Sequence, residues 1–297
     1  MANTLAGIYL AQIAEETLNV LEPKMPRLDA FFKDFSSDIL TEGNTVTTRV
    51  PTKVTAVDVS GGYTGQDVTT TAKTITLDKE YGFPMAFKDS EISKAGNMER
   101  LRRIFIRPAV NSVLRQISNH ALGLVLYSNY TAEETITAAN FSYDKVVDQD
   151  AALSLADAMD DRFLIVNPTY LGTMRKDTKI ASAFAGGNPE LIQKGRVGQV
   201  GGFDVVEYNN IPANGENLAA IAMAPEAILI AARQPALPQG FAGEVENVTD
   251  PTTGLPLQFR LWYEGTQKKT YLTVEAYYGV AVGVPGNLRA IRSANRS

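Results

Sequence analysis

Between Thr45 and Phe83 the sequence alternates with a period of two around the turn residues SGGYTG, Ser60 to Gly65. Val46, Val50 and Val54 take one face of the outgoing arm, and Thr47, Arg49, Lys53 and Thr55 the other. On the return arm Ile75, Leu77, Tyr81 and Phe83 share a face, with Thr74, Thr76, Asp78 and Glu80 opposite. Pro51 has no N–H to give to a ladder, so the outgoing arm must be an edge strand or half of an isolated ribbon. About sixteen residues per arm at ~3.3 Å each reach roughly 50 Å, against about 17–20 Å for an ordinary strand. A hairpin of that length leaves its parent domain. Its base can pack, but the threonine-rich stretch from Thr52 to Thr74 cannot form a core alone. An isolated two-stranded hairpin is marginal in water. The distal half is therefore either mobile or held by another chain, and the strand propensity of its Thr and Val residues favours the second.

The remainder of the chain can supply a globular body for this arm. With 297 residues and 44% hydrophobic content it is long enough for two domains and a sizeable core. Lys plus Arg number 28 against 33 for Asp plus Glu, a net charge of -5. That balance argues against a tight grip on nucleic-acid backbone, which needs clustered cations, while a surface lying loosely beside DNA stays compatible. The absence of cysteine excludes disulfides, zinc thiolate sites and cysteine nucleophiles, and fits a reducing cytoplasm. MANTLAGIYLAQIAEETLNVL lacks the basic region of a signal peptide, and no apolar run approaches the ~18 residues of a membrane span. The expectation is a protein that stays where it is made and has no membrane partner. The glycosylation-like triplets at Asn129, Asn140, Asn247 and Asn295 are then chance.

Residues 3–21 read as an amphipathic helix through Leu5, Ile8, Tyr9, Ile13 and Leu18, stopped by Pro23 and Pro26. This N-terminal arm could dock on its own domain or on a neighbour. After the hairpin a helical stripe runs from Ser90 to about Tyr130 through Met98, Leu101, Phe105, Ala109, Val113, Ile117, Ala121 and Leu124. Gly96 and Pro108 predict a kink or a break in it. Arg100, Arg103 and Arg107 line another face; without interleaved aromatics they read as a solvated cationic surface rather than a nucleic-acid groove. A polar linker, 131–140, leads to a helix at 145–159, a buried strand at 162–166 and a helix opening at Asn167-Pro168. Glycine-rich residues 182–202 predict a loop, followed by the strand GGFDVVEY, a strand at 218–224 and a helix at 225–232. From Leu255, LPLQFRLWYEG and KKTYLTVEAYYGVAVGVP alternate as an antiparallel hairpin that completes a sheet beside the long helix.

No constellation carries catalytic chemistry. His120 is the single histidine and sits on the apolar helix face. With no G-x-S-x-G turn and no partner histidine it reads as a core or near-surface residue. Asp157, Asp160 and Asp161 lack the glycine and distal glutamate of a calcium loop, so no metal is expected. GRVGQVGG, Gly195 to Gly202, matches neither phosphate-cradle pattern and precedes a strand rather than a helix. The chain is expected to have no cofactor and to be no enzyme.

Five segments nevertheless follow one another in a specific order across nearly the whole chain. They are TEGNTVTTRVPTKV with TLDKEYGFPMAFKDSEIS; FLIVNPTYLGTMRK; GRVGQVGGFDVVEYNNIP; AIAMAPEAILIAAR; and LQFRLWYEG followed by LTVEAYYGVAVGVPGNLRAI. This succession resembles the major capsid protein of tailed bacteriophages, in the Hong Kong 97-like fold and in the style of coat proteins of short-tailed phages. The first pair resembles the family's extended loop and the run into its spine helix. The next three resemble the start of the axial domain, its loop and strand, and the strand and helix after it. The last pair resembles the closing strands of the peripheral domain. Two departures stand out: no large insertion domain interrupts the axial region, and no long scaffolding segment precedes the arm.

The resemblance implies an α+β fold in four parts. These are an N-terminal arm (1–42), an extended hairpin loop (43–88), a peripheral domain joining a spine helix to an antiparallel sheet (89–140 and 240–297), and a mixed α/β axial domain (141–239). It implies self-assembly of hexamers and pentamers into an icosahedral shell around double-stranded DNA, located in the virion after assembly in the host cytoplasm. A separate scaffolding protein, a portal and in some relatives a decoration protein would be the partners, with only loose proximity to the packaged DNA. The distal hairpin would lie over a neighbour's spine region, pairing Arg49, Lys53, Lys73 and Lys79 with acids while Val46, Val50, Ile75 and Leu77 hold its base. Asp58, Asp67, Glu80, Arg100, Arg103, Arg107 and Arg196 complete the candidate intersubunit residues. Two alternatives stay open: an encapsulin-like shell for enzyme cargo, and a small-molecule enzyme that dimerises through the hairpin.

Overall fold

A computed structural model describes residues 26–39, 44–51, 56, 58, 60–62, 70–95, 98–158, 161–180, 198–234, 240–249 and 254–296. The predicted arm helix at 3–21 and most of the loop at 182–202 lie outside them. The first half of the chain forms α1 (Pro26–Asp29), β1 (Phe32–Ile39), β2 (Thr45–Pro51), β3 (Thr70–Thr76), β4 (Lys79–Lys88), α2 (Asp89–Ala95), α3 (Met98–Gly123), β5 (Glu133–Thr135) and α4 (Tyr143–Leu155). There follow β6 (Arg162–Val166), α5 (Pro168–Lys176), β7 (Gln199–Val200), β8 (Phe203–Glu207), β9 (Leu218–Met223) and β10 (Ile228–Gln234). The closing strands are β11 (Glu244–Thr249), β12 (Pro256–Glu264), β13 (Lys269–Val282) and β14 (Leu288–Arg292).

β13 organises the first of two six-stranded sheets. It pairs antiparallel with β12 from Gln258↔Glu275 to Glu264↔Lys269, with β10 from Ile228↔Val282 to Arg233↔Tyr277, and with β4 from Lys79↔Tyr278 to Lys88↔Lys269. Tyr277 and Tyr278 pair with β10 and β4 at once, which puts those two strands on opposite edges of β13. β1 adds parallel to β10, and β11 antiparallel to β12. Strands from inside the expected arm (β1) and the expected hairpin loop (β4) thus belong to this sheet. The second sheet runs β5-β14-β9-β6-β8-β7, with β6–β8 and β5–β14 parallel.

The long helix α3 is packed between the sheets. Ile106, Ala109, Val110, Val113, Ile117 and Ala121 form one buried cluster with Phe87, Phe259, Leu272 and Val274 from the first sheet and Ile165, Ile221 and Met223 from the second. Burial on both sides explains why Pro108 does not end the helix. Proline in a helix interior costs about 3 kcal/mol, whereas each fully buried aliphatic side chain returns roughly 1.5–3 kcal/mol. Pro108 itself faces solvent. α2 stops at Ala95 and α3 starts at Met98, with Gly96 in the undescribed pair between them. The helix ends at Gly123 rather than near Tyr130, and residues 124–130 continue as turns.

The predicted helix at 225–232 is a short 3-10 turn, Pro225–Ala227, followed by β10. AILIAAR satisfies helical and strand patterns equally. β1 and β13 on its two edges decide, because Leu229 to Ala232 are fully buried with a sheet partner on each side. Part of the predicted 182–202 loop also pairs: β7 and β8 form a tight hairpin across Gly201 and Gly202, at φ 55° and 87°. A Cβ on Gly202 would lie 2.7 Å from Asp150 Oδ1, so this turn requires glycine.

α4 and α5 cover the outer face of the second sheet, where Val146, Leu153, Tyr170 and Met174 meet Leu164, Val166, Phe203 and Ala222. Arg162 ties α4 to this sheet. Its buried guanidinium donates to Asp150 O and Oδ1 at 3.0 and 2.6 Å, Ser154 Oγ at 2.8 Å and Ala158 O at 3.0 Å. Arg162→Met would strand the Asp150 carboxylate and the carbonyls that close the helix. A loss of about 3 kcal/mol is expected, the lower end of the range for breaking a buried pair, because Asp150 can rehydrate. Urea unfolding should show a lower midpoint at unchanged slope.

Candidate assembly surface

β2 and β3 form a separate two-stranded sheet, in register from Thr45↔Thr76 to Pro51↔Thr70. That is the isolated ribbon that Pro51 demands. Its base is seated on the face of the first sheet opposite α3. Ile75 and Leu77 are fully buried against Leu229 and Ala231, with Val46, Tyr277 and Ala281 packed around them. Tyr277 Oη donates to the Leu77 carbonyl at 2.7 Å, and Leu77 N donates to Asn44 O at 2.6 Å. The ribbon crosses the sheet at Gly279, where any Cβ would collide with the Thr76 carbonyl and press on Ile75. Glycine here allows two main chains to approach closely.

The apolar face ends at that seat. The chain turns at Leu77-Asp78 from the ribbon into β4, so Tyr81 and Phe83 do not extend the Ile75 and Leu77 face. They are about two-fifths exposed, and the buried residues of β4 are Met85 and Phe87. Tyr81 instead lies edge-on to His120, with ring centroids 4.8 Å apart. Between the ribbon base, the end of α3 and β13 opens a groove of about 400 Å³.

The charged candidates are spread along this arm rather than gathered. Arg49 is exposed on β2, opposite Ala72; Lys73 lies on the other ribbon face, opposite Thr48. No described acid pairs with either of them. Asp58, fully exposed, accepts from Ser60 N at 2.9 Å, and this hydrogen bond holds its carboxyl below the usual range. Lys79 pairs with Asp78 at 3.1 Å, and Glu80 is exposed opposite Tyr277. Arg100, Arg103 and Arg107 fall in the first turns of α3, their side chains outside the described residues, as are Lys53, Asp67 and Arg196 altogether. Sequence reasoning missed Gly279 and the surroundings of His120. A glycine inside the apolar strand run YYGVAVG is the signal that could have found the first.

The end of the chain is fastened beside α3. Buried Arg292 bridges Glu216 and Glu133, Arg296 reaches Glu133 at 2.5 Å, and the Arg296 guanidinium lies 3.5 Å from the centre of the Tyr127 ring. Burial alone would raise the Glu216 carboxyl, but the Tyr127 N–H and the two arginines outweigh it and hold it low. Among the described residues no cluster of three metal-ligating side chains occurs, Asp160 lying outside them. No described helix is long and apolar enough to cross a membrane.

A spine helix between two six-stranded sheets, with a separate two-stranded ribbon seated on the first, is the Hong Kong 97-like α+β fold. Solved structures share it over most of their length. The capsid structure of the cyanophage P-SCSP1u matches at a TM-score of 0.60 and 13% identity, over 90% of this chain and 88% of that one. A chain of Mycobacterium phage Che8 matches at 0.54 and 18%, over 86% of each. A virus-like particle from Pyrococcus furiosus matches at 0.52 and 11%, over 95% and 98%. No protein-family model and no curated protein matches the sequence.

Proposed function

We propose that this protein is the major capsid protein of a tailed phage, tiling as hexamers and pentamers into an icosahedral shell around double-stranded DNA. The observation that carries the reading is a ribbon whose base is buried on its own subunit while its outer length pairs with no other described strand. Structures titled as phage capsids share the fold nearly end to end. The net charge of -5 suits a container that must not hold its genome tightly. In this reading Arg49, Lys53, Lys73 and Lys79 meet acids of a neighbour's spine region, with Asp58, Asp67, Glu80, Arg100, Arg103, Arg107 and Arg196 at the same contacts. Interface burial supplies the driving force, and the ribbon loses its conformational freedom at the moment of assembly.

The four-part division into arm, extended loop, peripheral and axial domains belongs to this proposal, with β1 and β4 counted as peripheral strands. A scaffolding protein and a portal would assist assembly in the host cytoplasm. A structural rather than catalytic role is part of the same proposal, and the capsid titles of those structures support it. An encapsulin-like shell is the second reading, favoured by the near-complete mutual coverage with the Pyrococcus furiosus particle. Expressing the chain with and without its neighbouring genes, then imaging and digesting the particles, separates the two. Nuclease-protected DNA supports the phage capsid, protein cargo supports the enzyme container, and a lasting monomer or dimer overturns both.

A further inference from the structure

The root of the hairpin is closed over the only histidine in the chain. His120 reaches it from the last turn of α3, and three elements converge on the ring. From β13, the buried Tyr278 hydroxyl lies 2.6 Å from Nδ1. From β4, Tyr81 packs edge-on at 4.8 Å. One turn back on α3, the Gln116 amide meets Nε2 at 3.3 Å. The charged groups that face the ring are Lys79 and Asp78, at the corner where the ribbon becomes β4. His120, Lys79 and Asp78 border the groove of about 400 Å³, which gives the imidazole a route to solvent.

The hydrogen-bond partners set the protonation of the ring. The Gln116 amide nitrogen can only donate, so Nε2 accepts from it and the neutral imidazole carries its proton on Nδ1. Burial pushes the Tyr278 phenol well above its usual range, so it stays protonated, and its oxygen accepts from Nδ1–H. A second proton breaks this arrangement. Nε2–H would then face the Gln116 amide N–H, donor against donor, and a positive ring would stand beside the Lys79 ammonium.

We propose that His120 is an acid-sensitive latch on the hairpin: the neutral ring fastens the start of β4 to α3 and β13, and protonation frees the corner from which the ribbon departs. Burial and then Lys79 lower the affinity of the ring for a proton, and Asp78 only partly offsets them. With its pKa depressed in the folded state, the ring contributes full stability above the unfolded value of 6.5 and loses it as pH falls through the lower folded value. In the shell proposed above, the latch would make the reach of the hairpin depend on acidity.

With a single histidine, deuterium exchange at the imidazole C2, read by mass spectrometry on the protein in its native assembly state, yields one titration curve. The midpoint should fall below 6.5, rise in Lys79→Gln and fall further in Asp78→Asn. Amide exchange in peptides spanning residues 76–84, corrected for its intrinsic pH dependence, should increase several-fold from about pH 7.5 to about pH 5, while β12 stays protected. His120→Gln, uncharged throughout, should abolish that increment. A midpoint at or above 6.5, no response to either charge change, or an acid increment that survives in His120→Gln would each overturn the latch. The two charge variants retain the test if His120→Gln does not fold. Particle formation at neutral pH reads the capsid proposal separately.

Discussion

Gly279→Val is expected to leave the two sheets folded and to unseat the hairpin. Valine suits β13 itself, since strand interiors accept β-branched residues. Its Cβ, however, would occupy the position of the Thr76 carbonyl oxygen, and no rotamer relieves a clash with main chain. Forcing the contact costs at least the roughly 1–3 kcal/mol of ordinary overpacking. Lifting the ribbon exposes Ile75 and Leu77, at about 1.5–3 kcal/mol each. Either response removes the seat. Amide exchange across residues 70–78 should approach that of an unprotected segment while β12 and β13 remain protected, and electron microscopy should find no shells. A wild-type exchange pattern would show that the crossing over Gly279 does not determine where the ribbon leaves.

Deleting residues 56–70 should have the opposite distribution of effects. The seat stays, because Ile75, Leu77 and their partners are untouched. The subunit should keep its helical and strand signals and melt near the parent temperature, since nothing among the described residues depends on the tip for burial. What disappears is the tip that the proposed intersubunit contacts require, and with it assembly: sedimentation should show a soluble subunit without particles. Normal particles from this deletion would sink the assembly role of the hairpin.

These two changes also mark what a reader of the sequence could see. The ribbon was legible because a period of two survives fifteen residues without a core, and Pro51 forbids a partner on one edge. The corner at Leu77-Asp78 was not, because alternation carries no sign that a strand has changed sheets; Tyr81 and Phe83 continue the count but not the face. β10 was misread for a related reason. A run as apolar as AILIAAR has no polar side to set its period, and its sheet partners lie 197 residues away in Phe32↔Leu229 and 46 residues away in Ala232↔Tyr278. The same distance hid the surroundings of His120, whose hydroxyl partner Tyr278 is 158 positions along the chain. The five ordered segments carried the architecture; the contacts that make a surface out of it are long-range.

The pairing of β4 with β13 has a mechanical side. A pull on the ribbon enters the subunit at Lys79 and runs along ten consecutive residue pairs, Lys79↔Tyr278 to Lys88↔Lys269. Traction in that direction loads the whole ladder at once in shear instead of unzipping it pair by pair. Behind it, β13 is clamped on its other edge by β12 and β10. Tension drawn through the hairpin would therefore be spread over the breadth of the sheet before any single hydrogen bond had to fail.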